Sequence, residues 1–410
     1  MPDEVRSTAG TTGVLHAGTW PNEQQLRTIN ILHVYRTYFP DTQGGLEETV
    51  RQICRNTKGL GFCHRIFTLS VQVPPLIIST PEAEVYRYPR TIEIASCGMS
   101  LTGILGFRKL AQWADIIHYH FPWPYADLLH FSTGRDNPCL VSYQSDIVRQ
   151  KKILKLYAPL QKRFLRSVDR IVATSPNYLH SSAVLSDYGD KVSIIPNGID
   201  EAGYPHPTSE ALSMVKQKYG EDFFLFVGVL RYYKGLQYLL RAVSKQQFKV
   251  VIAGSGPMEN ELRRQAGHLG LKNVHFAGYV DDLVKNCLLS LTRAVVFPSH
   301  ERSEAFGMTL LEGAMFGKPL ISTEIGTGTS YINQHGITGL VVPPAEPDSL
   351  RKAMVKLAGN DQLCDRFGRE ARKRYEHLFT GCLMGTRYAM LYRELLCNRR
   401  RRQGGNHADH

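Results

Sequence analysis

Short, nearly uninterrupted apolar runs alternate with longer amphipathic stretches along most of the chain. ILHVY (31–35), RIFTLSV (65–71), DIIHYH (115–120), CLVSYQ (139–144), RIVATS (170–175) and VSIIPNG (192–198) read as strands. The series continues with FFLFVG (223–228), KVVIAG (249–254), NVHFAG (273–278), RAVVFPS (293–299), PLISTE (319–324) and GLVVPP (339–344). Between them, LEETVRQICRNTKG (46–59) and GLQYLLRAVSK (235–245) repeat their apolar positions at helical spacing. Strands that are apolar on both faces and separated by helices belong to doubly wound parallel sheets, which helices cover on each side. About a dozen strands exceed one ordinary open sheet, so the pattern predicts an α/β chain with two sheets facing across a cleft. The stretch GIDEAGYPHPTSE (198–210) breaks the apolar pattern and reads as the hinge. The expected units are a disordered arm (1–28), an N-terminal domain (29–203) and a C-terminal domain (204–375). A C-terminal helix (376–397) is expected to pack back on the N-terminal domain, followed by a basic disordered tail (398–410).

Composition narrows the class. The longest apolar runs, such as FFLFVGVL (223–230), are about eight residues, whereas a membrane-spanning helix needs about 20. The first residues show no apolar core of a secretory signal, and the 8 cysteines form no C-x-x-C pair. Reduced thiols in a cytoplasm are the expectation. The net charge of +12 is uneven: eight basic residues and one acid lie between Arg149 and Arg170, and Arg399–Arg402 form a second cluster. Such runs suit phosphates, nucleic acid or an anionic membrane surface, or are simply a solvated helix face. No zinc finger, RNA-recognition signature or basic zipper accompanies them, so nucleic acid is not expected as a partner.

Several constellations could carry chemistry. In HERSEAFGMTLLEGAMFGKP (300–319), Glu304 lies in a loop after a strand, Phe306-Gly307 follow, and Glu312 sits on the next helix. The first turn of that helix, Gly307, Met308 and Thr309, offers free N–H groups and a positive dipole end for an anion. The two carboxylates can accept hydrogen bonds from sugar hydroxyls; the plainer reading is one N-terminal and one surface glutamate. In FVGVLRYYKGLQYLL (226–240), Arg231 and Lys234 fall in a strand-to-helix turn, where an open α/β domain holds phosphate. The sequence there is neither G-x-x-x-x-G-K-[ST] nor G-x-G-x-x-G. Gly44-Gly45 precede the first helix and allow close backbone approach to a ligand. His118 and His120 share one face of their strand, with Asp146 at the next strand end. No H-E-x-x-H or cysteine pair completes a metal site around them; a satisfied core histidine is the expectation for His118.

Taken in order, GG (44–45), HYHFP (118–122), SYQSDIVRQK (142–151), TSPNY (174–178), IPNGID (195–200), FVGVLRYYKG (226–235), IAGSGP (252–257), FAGYV (276–280), Glu304 to Glu312, GKP and TGLVVPP (338–344) resemble the retaining glycosyltransferases of family 4. The resemblance spans about residues 30–395. It implies the GT-B fold of two Rossmann-like domains, with a nucleotide-sugar donor held mainly by the C-terminal domain and an acceptor by the N-terminal one. Arg231 and Lys234 would bind the diphosphate with Gly44 and Gly45. Glu312 would hold the ribose, and Glu304 with Phe306, Gly307 and Met308 the transferred sugar, with Thr309 also in the nucleotide-sugar site. Tyr279 and Val280 would meet the base, Gly254 would also belong to the nucleotide-sugar site, and His120 would orient donor sugar or acceptor, with Asp146 beside it. Two positions depart from the family: Val229 and Gln144 stand where relatives usually have Arg and His.

The implied chemistry is metal-independent and uses no cofactor, since no Asp-x-Asp is present and cations with helix N–H groups can stabilise the leaving diphosphate. The segment STEIGTGTSYINQHGITGLVVPP (322–344) resembles bacterial O-antigen mannosyl- and rhamnosyltransferases. That implies GDP-mannose or GDP-rhamnose as donor and a lipid-linked, polyprenyl-diphosphate saccharide as acceptor. A helix over 150–168 would present Ile153, Leu156, Tyr157, Leu160 and Phe164 as one stripe flanked by Lys and Arg. It would act with the Arg399–Arg402 tail as a peripheral anchor on the cytoplasmic face of the inner membrane. The alternatives are a UDP-sugar donor and, further off, a nucleotide-sugar epimerase.

Overall fold

The computed structural model describes residues 27–405, apart from 95–96, 135–136, 148–150 and 245. Nearly all of the expected arm, and Arg149 of the basic run, lie outside the described residues. The N-terminal domain holds ten strands: β1 (Ile29–Val34), β2 (Phe62–Ser70), β3 (Ile77–Ser79), β4 (Glu84–Pro89), β5 (Ile92–Ile94), β6 (Cys97–Met99), β7 (Ile116–Phe121), β8 (Cys139–Tyr143), β9 (Arg170–Ala173) and β10 (Val192–Ile194). Eight form one sheet in the order β10-β9-β8-β7-β1-β2-β4-β3, while β5 and β6 pair separately. Only β3 runs antiparallel within the large sheet. The C-terminal domain holds β11 (Phe223–Val227), β12 (Val250–Ala253), β13 (Val274–Gly278), β14 (Thr292–Phe297), β15 (Leu320–Thr323) and β16 (Gly339–Val342). These form an all-parallel sheet ordered β13-β12-β11-β14-β15-β16.

Each apolar strand predicted from the sequence is present, within a few residues of its expected ends. β12 is fully buried and β11 nearly so, as a sheet covered on both faces requires. β3 to β6 were not predicted. β4, EVYRYP, carries charge inside a strand, which argues against burial. Its Arg87 is nevertheless buried, because Asp41 at 2.8 Å, Ser70 Oγ at 2.9 Å and the Gln72 carbonyl at 2.6 Å accept from it. A buried charge is tolerated when paired in this way.

The chain crosses between domains twice, and the crossings are bonded to each other. Ile199 N–H donates to Phe379 O at 3.0 Å, and Gly381 N–H donates to Ile199 O at 2.8 Å. One helix therefore ends at Leu378 (Asp361–Leu378), and the terminal helix (Gly381–Gly405) begins after this bridge. The terminal helix packs on the first helix (Gly45–Lys58), with Met384, Tyr388 and Tyr392 in one apolar cluster with Ile31, Ile53 and Ile116. The terminal helix continues through 398–405, where a disordered tail was expected: the arginine run extends an already nucleated helix and adds no breaker.

In both sheets the strand order reverses at a central pair, β1/β7 and β11/β14. Ligands of open α/β sheets bind beyond the carboxyl ends at such switch points. The loops carrying Gly44-Gly45, Arg231-Lys234 and Glu304 leave from β1, β11 and β14, and His118 and His120 lie in the last residues of β7 itself.

Candidate active site

On the C-terminal side, β11 runs into a short turn (Tyr232–Lys234) that is followed by Gly235. Gly235 has φ +72°, and a Cβ there would lie 2.0 Å from the Pro298 carbonyl, so only glycine lets this turn sit against the end of β14. The turn delivers Lys234 to Glu304, with which it forms a short ion pair. Both are largely buried, and the ammonium also lies 4.7 Å from the Phe297 ring centroid. Arg231 is exposed at the same turn.

The next helix (Met308–Met315) starts at Gly307, φ +98°. Its side faces the N-terminus of the first helix: a Cβ on Gly45 would stand 3.2 Å from Met308 Cγ. Two helix N-termini thus meet across the cleft. Among the described residues, the N–H groups of Gly45, Met308 and Thr309 make no hydrogen bond. Unpaired N–H groups and two converging positive dipole ends favour an anion.

One turn along, Glu312 is buried and held by Lys285 at 2.8 Å and by the Tyr204 hydroxyl at 3.2 Å. Burial disfavours the Lys285 ammonium, but Glu312 and Asp282 outweigh it and raise its pKa. Opposite, burial raises the pKa of Glu48 on the first helix, Arg51 opposes this, and the Glu312 charge adds to it across the cleft. Lys285 and Tyr204 were missed from sequence, as nothing in DDLVKN or AGYPHP marks them.

Three expected contacts differ. The Phe306 ring is buried in the C-terminal core and packs on Phe379, so only its backbone can meet a sugar. Gly254 N–H already donates to Gly278 O at 2.7 Å, and a Cβ on Gly254 would stand 2.0 Å from Gly228 O. It serves close packing of two loops and offers no donor. Asp146 accepts from Tyr143 at 2.9 Å and Ser182 at 2.8 Å, and pairs with Arg302 of the other domain at 3.1 Å. One oxygen is committed to hydroxyls within the N-terminal domain and the other to Arg302 across the seam. Thr309 spends its hydroxyl proton on Val227 O at 3.0 Å. Tyr279 is exposed with its hydroxyl 3.4 Å from Gln43, and Val280 packs against the core.

On the N-terminal side, four histidines, His33, His64, His118 and His120, are buried. His118 is bonded to Ser142 at 2.7 Å and Tyr392 at 2.8 Å, which ties the sheet to the terminal helix. His120 stacks on it, with centroids 4.2 Å apart. Burial holds the pKa of His120 at about 3, so its ring is neutral at pH 7. Among the described residues its Nδ1 finds no partner, and neither do buried polar atoms of Thr68, Gln144, Thr174 and Asn197, all in or just after neighbouring strands of that sheet. His33, His118 and His120, and likewise His33, Cys54 and His64, lie close enough to share an ion. The hydrogen bonds among the rings occupy most of the nitrogens that an ion would need.

Residues 43–202 match the Glycosyltransferase Family 4 model and residues 210–374 the model for Glycosyl transferases group 1. The D-rhamnosyltransferase WbpZ of Pseudomonas aeruginosa is 52% identical over 86% of this chain and 92% of its own length. The chain belongs to glycosyltransferase family 4. The O-antigen chain mannosyltransferase C of Escherichia coli is 46% identical to this family 4 enzyme over 90% of the chain and 99% of that protein. Among solved structures, the sucrose-phosphate synthase of Thermosynechococcus elongatus superposes with a TM-score of 0.75 at 20% identity, covering 90% of this chain and all of that one. The Anabaena protein HepE, solved with UDP and glucose, gives 0.72 at 18% identity over 88% of this chain and 98% of its own. The fold is GT-B, and the chain is a glycosyltransferase by its sequence relatives.

Proposed function

We propose that this family 4 enzyme moves a hexose, mannose or D-rhamnose, from a GDP-sugar to a lipid-linked saccharide in O-antigen assembly. Anomeric configuration is retained, so the new linkage is α. The observation that carries the reading is the meeting of two helix N-termini beside Arg231 and the Lys234–Glu304 pair. As the bond from the anomeric carbon to the diphosphate breaks, its electron pair passes to the phosphate oxygen. Lys234, Arg231 and the N–H groups of Gly45, Met308 and Thr309 stabilise that charge, and such preorganised donors act without a divalent ion. The acceptor oxygen bonds the anomeric carbon as its proton passes to the departing diphosphate oxygen, which has just received the electron pair of the broken bond. Glu304 orients hydroxyls of the transferred sugar and Glu312 those of the ribose.

The choice of donor rests on the two curated relatives, one named for rhamnose and one for mannose. D-rhamnose is 6-deoxymannose, so the two donors differ by one hydroxyl. A lipid-linked acceptor agrees with an apolar, basic face on the N-terminal domain. Leu105, Leu128, Phe131 and Leu156 are exposed on helices packed in sequence, beside exposed Arg108, Lys109, Lys155 and Arg163. Leu156 is 84% exposed, while Phe164 faces the core. The stripe expected from the sequence is therefore divided between a buried side and an outward one. No helix among the described residues is long and apolar enough to cross a membrane, and anionic lipid would hold such a face peripherally.

Calorimetry with GDP, UDP, GDP-mannose and UDP-GlcNAc, each with and without EDTA, tests the reading. Selective binding of the GDP compounds, unchanged by EDTA, is expected. Preference for UDP overturns the donor and leaves the site; binding of none removes the site. Co-sedimentation with liposomes at low salt is expected to favour anionic over neutral lipid and to weaken in Leu156→Glu; equal binding to both rejects the membrane face.

A further inference from the structure

A chain of hydrogen bonds runs from the first helix through three histidines to the carboxyl end of β7, and it has a direction. Thr57 Oγ1 lies 2.6 Å from Ile53 O. A carbonyl carries no proton, so the single hydroxyl proton of Thr57 must point at it. Thr57 Oγ1 is also 2.9 Å from His64 Nε2, and with its proton spent it can only accept there. His64 is therefore protonated at Nε2. Burial keeps His64 near pKa 3 and holds His33 well below the usual imidazole range, so each ring carries one proton. His64 Nδ1 is then bare and accepts from His33 Nε2 at 3.1 Å. His33 Nδ1 is bare in turn and accepts from His120 Nε2 at 3.0 Å. The last ring is left with its proton on Nε2 and a free lone pair on Nδ1, the atom that has no partner among the described residues.

This end of the chain borders the cleft. The Tyr35 ring meets His120 edge-on at 6.3 Å, and the Tyr35 hydroxyl, which burial raises to about 12, also responds to the charge of Arg231 across the cleft. Which nitrogen of a histidine is protonated is set by the bond its other nitrogen makes.

We propose that Thr57, His64 and His33 are positioning residues whose one-way hydrogen-bond chain locks His120 in its Nε2–H tautomer, so that Nδ1 is presented as an acceptor for a hydroxyl of the bound donor sugar. The identity of that hydroxyl rests on the transferase reading; the tautomer does not. The same bonds weigh against an ion at this cluster, since both nitrogens of His33 are already engaged.

Nitrogen-15 spectra of the histidine-labelled full chain separate protonated from bare imidazole nitrogens, and His120→Gln identifies the ring. The expected result is one His120 tautomer, bare at Nδ1, from pH 6 to 8. Thr57→Val keeps the shape and removes the anchor, so His120 becomes a tautomer mixture. Turnover then falls by roughly tenfold with little change in donor KM, and Thr57→Ser restores both. GDP-mannose shifts the Nδ1 signal and GDP does not. An Nδ1–H form in the wild type, or an unchanged tautomer in Thr57→Val, overturns the relay. So does stoichiometric zinc uptake that is lost in His33→Phe. If GDP-mannose binds by calorimetry without moving Nδ1, the hydroxyl contact is wrong. If no nucleotide sugar binds while the tautomer behaves as stated, the transferase reading fails and the relay stands.

Discussion

The two sheets present opposite chemistries at their carboxyl ends. The C-terminal sheet ends in charges that are paired or poised: Lys234 with Glu304, Lys285 with Glu312, and Arg231 exposed. The buried groups at the end of the N-terminal sheet, His33, His118, His120, Ser142, Gln144 and Thr174, are uncharged, while the charge just beyond β8, Asp146, is paired with Arg302 at the seam. A diphosphate that gains charge as it leaves is stabilised by fixed cations and dipoles. Sugar hydroxyls are recognised by neutral donors and acceptors whose burial would make a charge costly. The difference between the halves matches the difference between leaving group and sugar.

The largest effect should come from the charged half. Lys234→Ala and Glu304→Ala are each expected to cut kcat by roughly two orders of magnitude or more. His120→Ala should cost more turnover than His118→Ala, whose ring is bonded on both sides to Ser142 and Tyr392. Near-normal rates in both charge variants would break the comparison at its stronger side.

Acid should separate the halves next. The four buried histidines have pKa values held below 6.5, with His64 and His120 near 3. Their stability is fully present above pH 6.5 and is lost as pH falls toward 3, because the unfolded chain takes up protons that the folded one refuses. Each fully titrating ring costs about 1.4 kcal/mol per pH unit below 6.5. No described histidine of the C-terminal domain is buried to this degree. Hydrogen exchange at pH 5.5 against 7.5 is expected to show β1 and β7 opening well before β11 and β14. Equal protection at both pH values would contradict the neutral, buried character of the N-terminal edge.

A smaller effect is expected from Glu312→Ala: donor KM rises by roughly tenfold with kcat less affected, as for a group that binds ground and transition states alike. A kcat loss as large as that of Glu304→Ala would move Glu312 into the reacting centre.

How much of this was written in the sequence follows the same division. FFLFV and VVIA are buried on both faces, and their apolar runs name them as central parallel strands. The Arg231, Lys234, Glu304 and Glu312 cluster lies where strand-to-helix spacing puts it, because loops at a switch point are short. β4 was hidden because Arg87 is buried by partners 15 to 46 residues away, which no local pattern reports. His33 was passed over as an ordinary strand residue, and His64, just before the expected strand RIFTLSV, was not singled out. A polar ring inside a run as apolar as ILHVY was the available signal, and only the sheet register, which sets His33 beside His118, makes it legible. Leu156 and Phe164 share a helical stripe in the sequence yet part in the fold, since neighbouring helices decide how wide the buried face is.

The smallest effect concerns the seam. Arg302 reaches from the loop after β14 to Asp146 beyond β8, with side chains 30% and 20% exposed. Ion pairs this open contribute about 1 kcal/mol or less, so Arg302→Ala should loosen domain contact and raise donor KM only a few-fold, with kcat unchanged. Asp146→Ala should act differently, because it also strands the hydroxyls of Tyr143 and Ser182 within the N-terminal domain; its loss appears in thermal stability more than in turnover. Suppose instead that Asp146→Ala removes turnover a hundredfold while Arg302→Ala leaves it intact. Then an ionised carboxylate acts on the reacting atoms from the N-terminal side, and the contrast between a charged half and a neutral half does not hold.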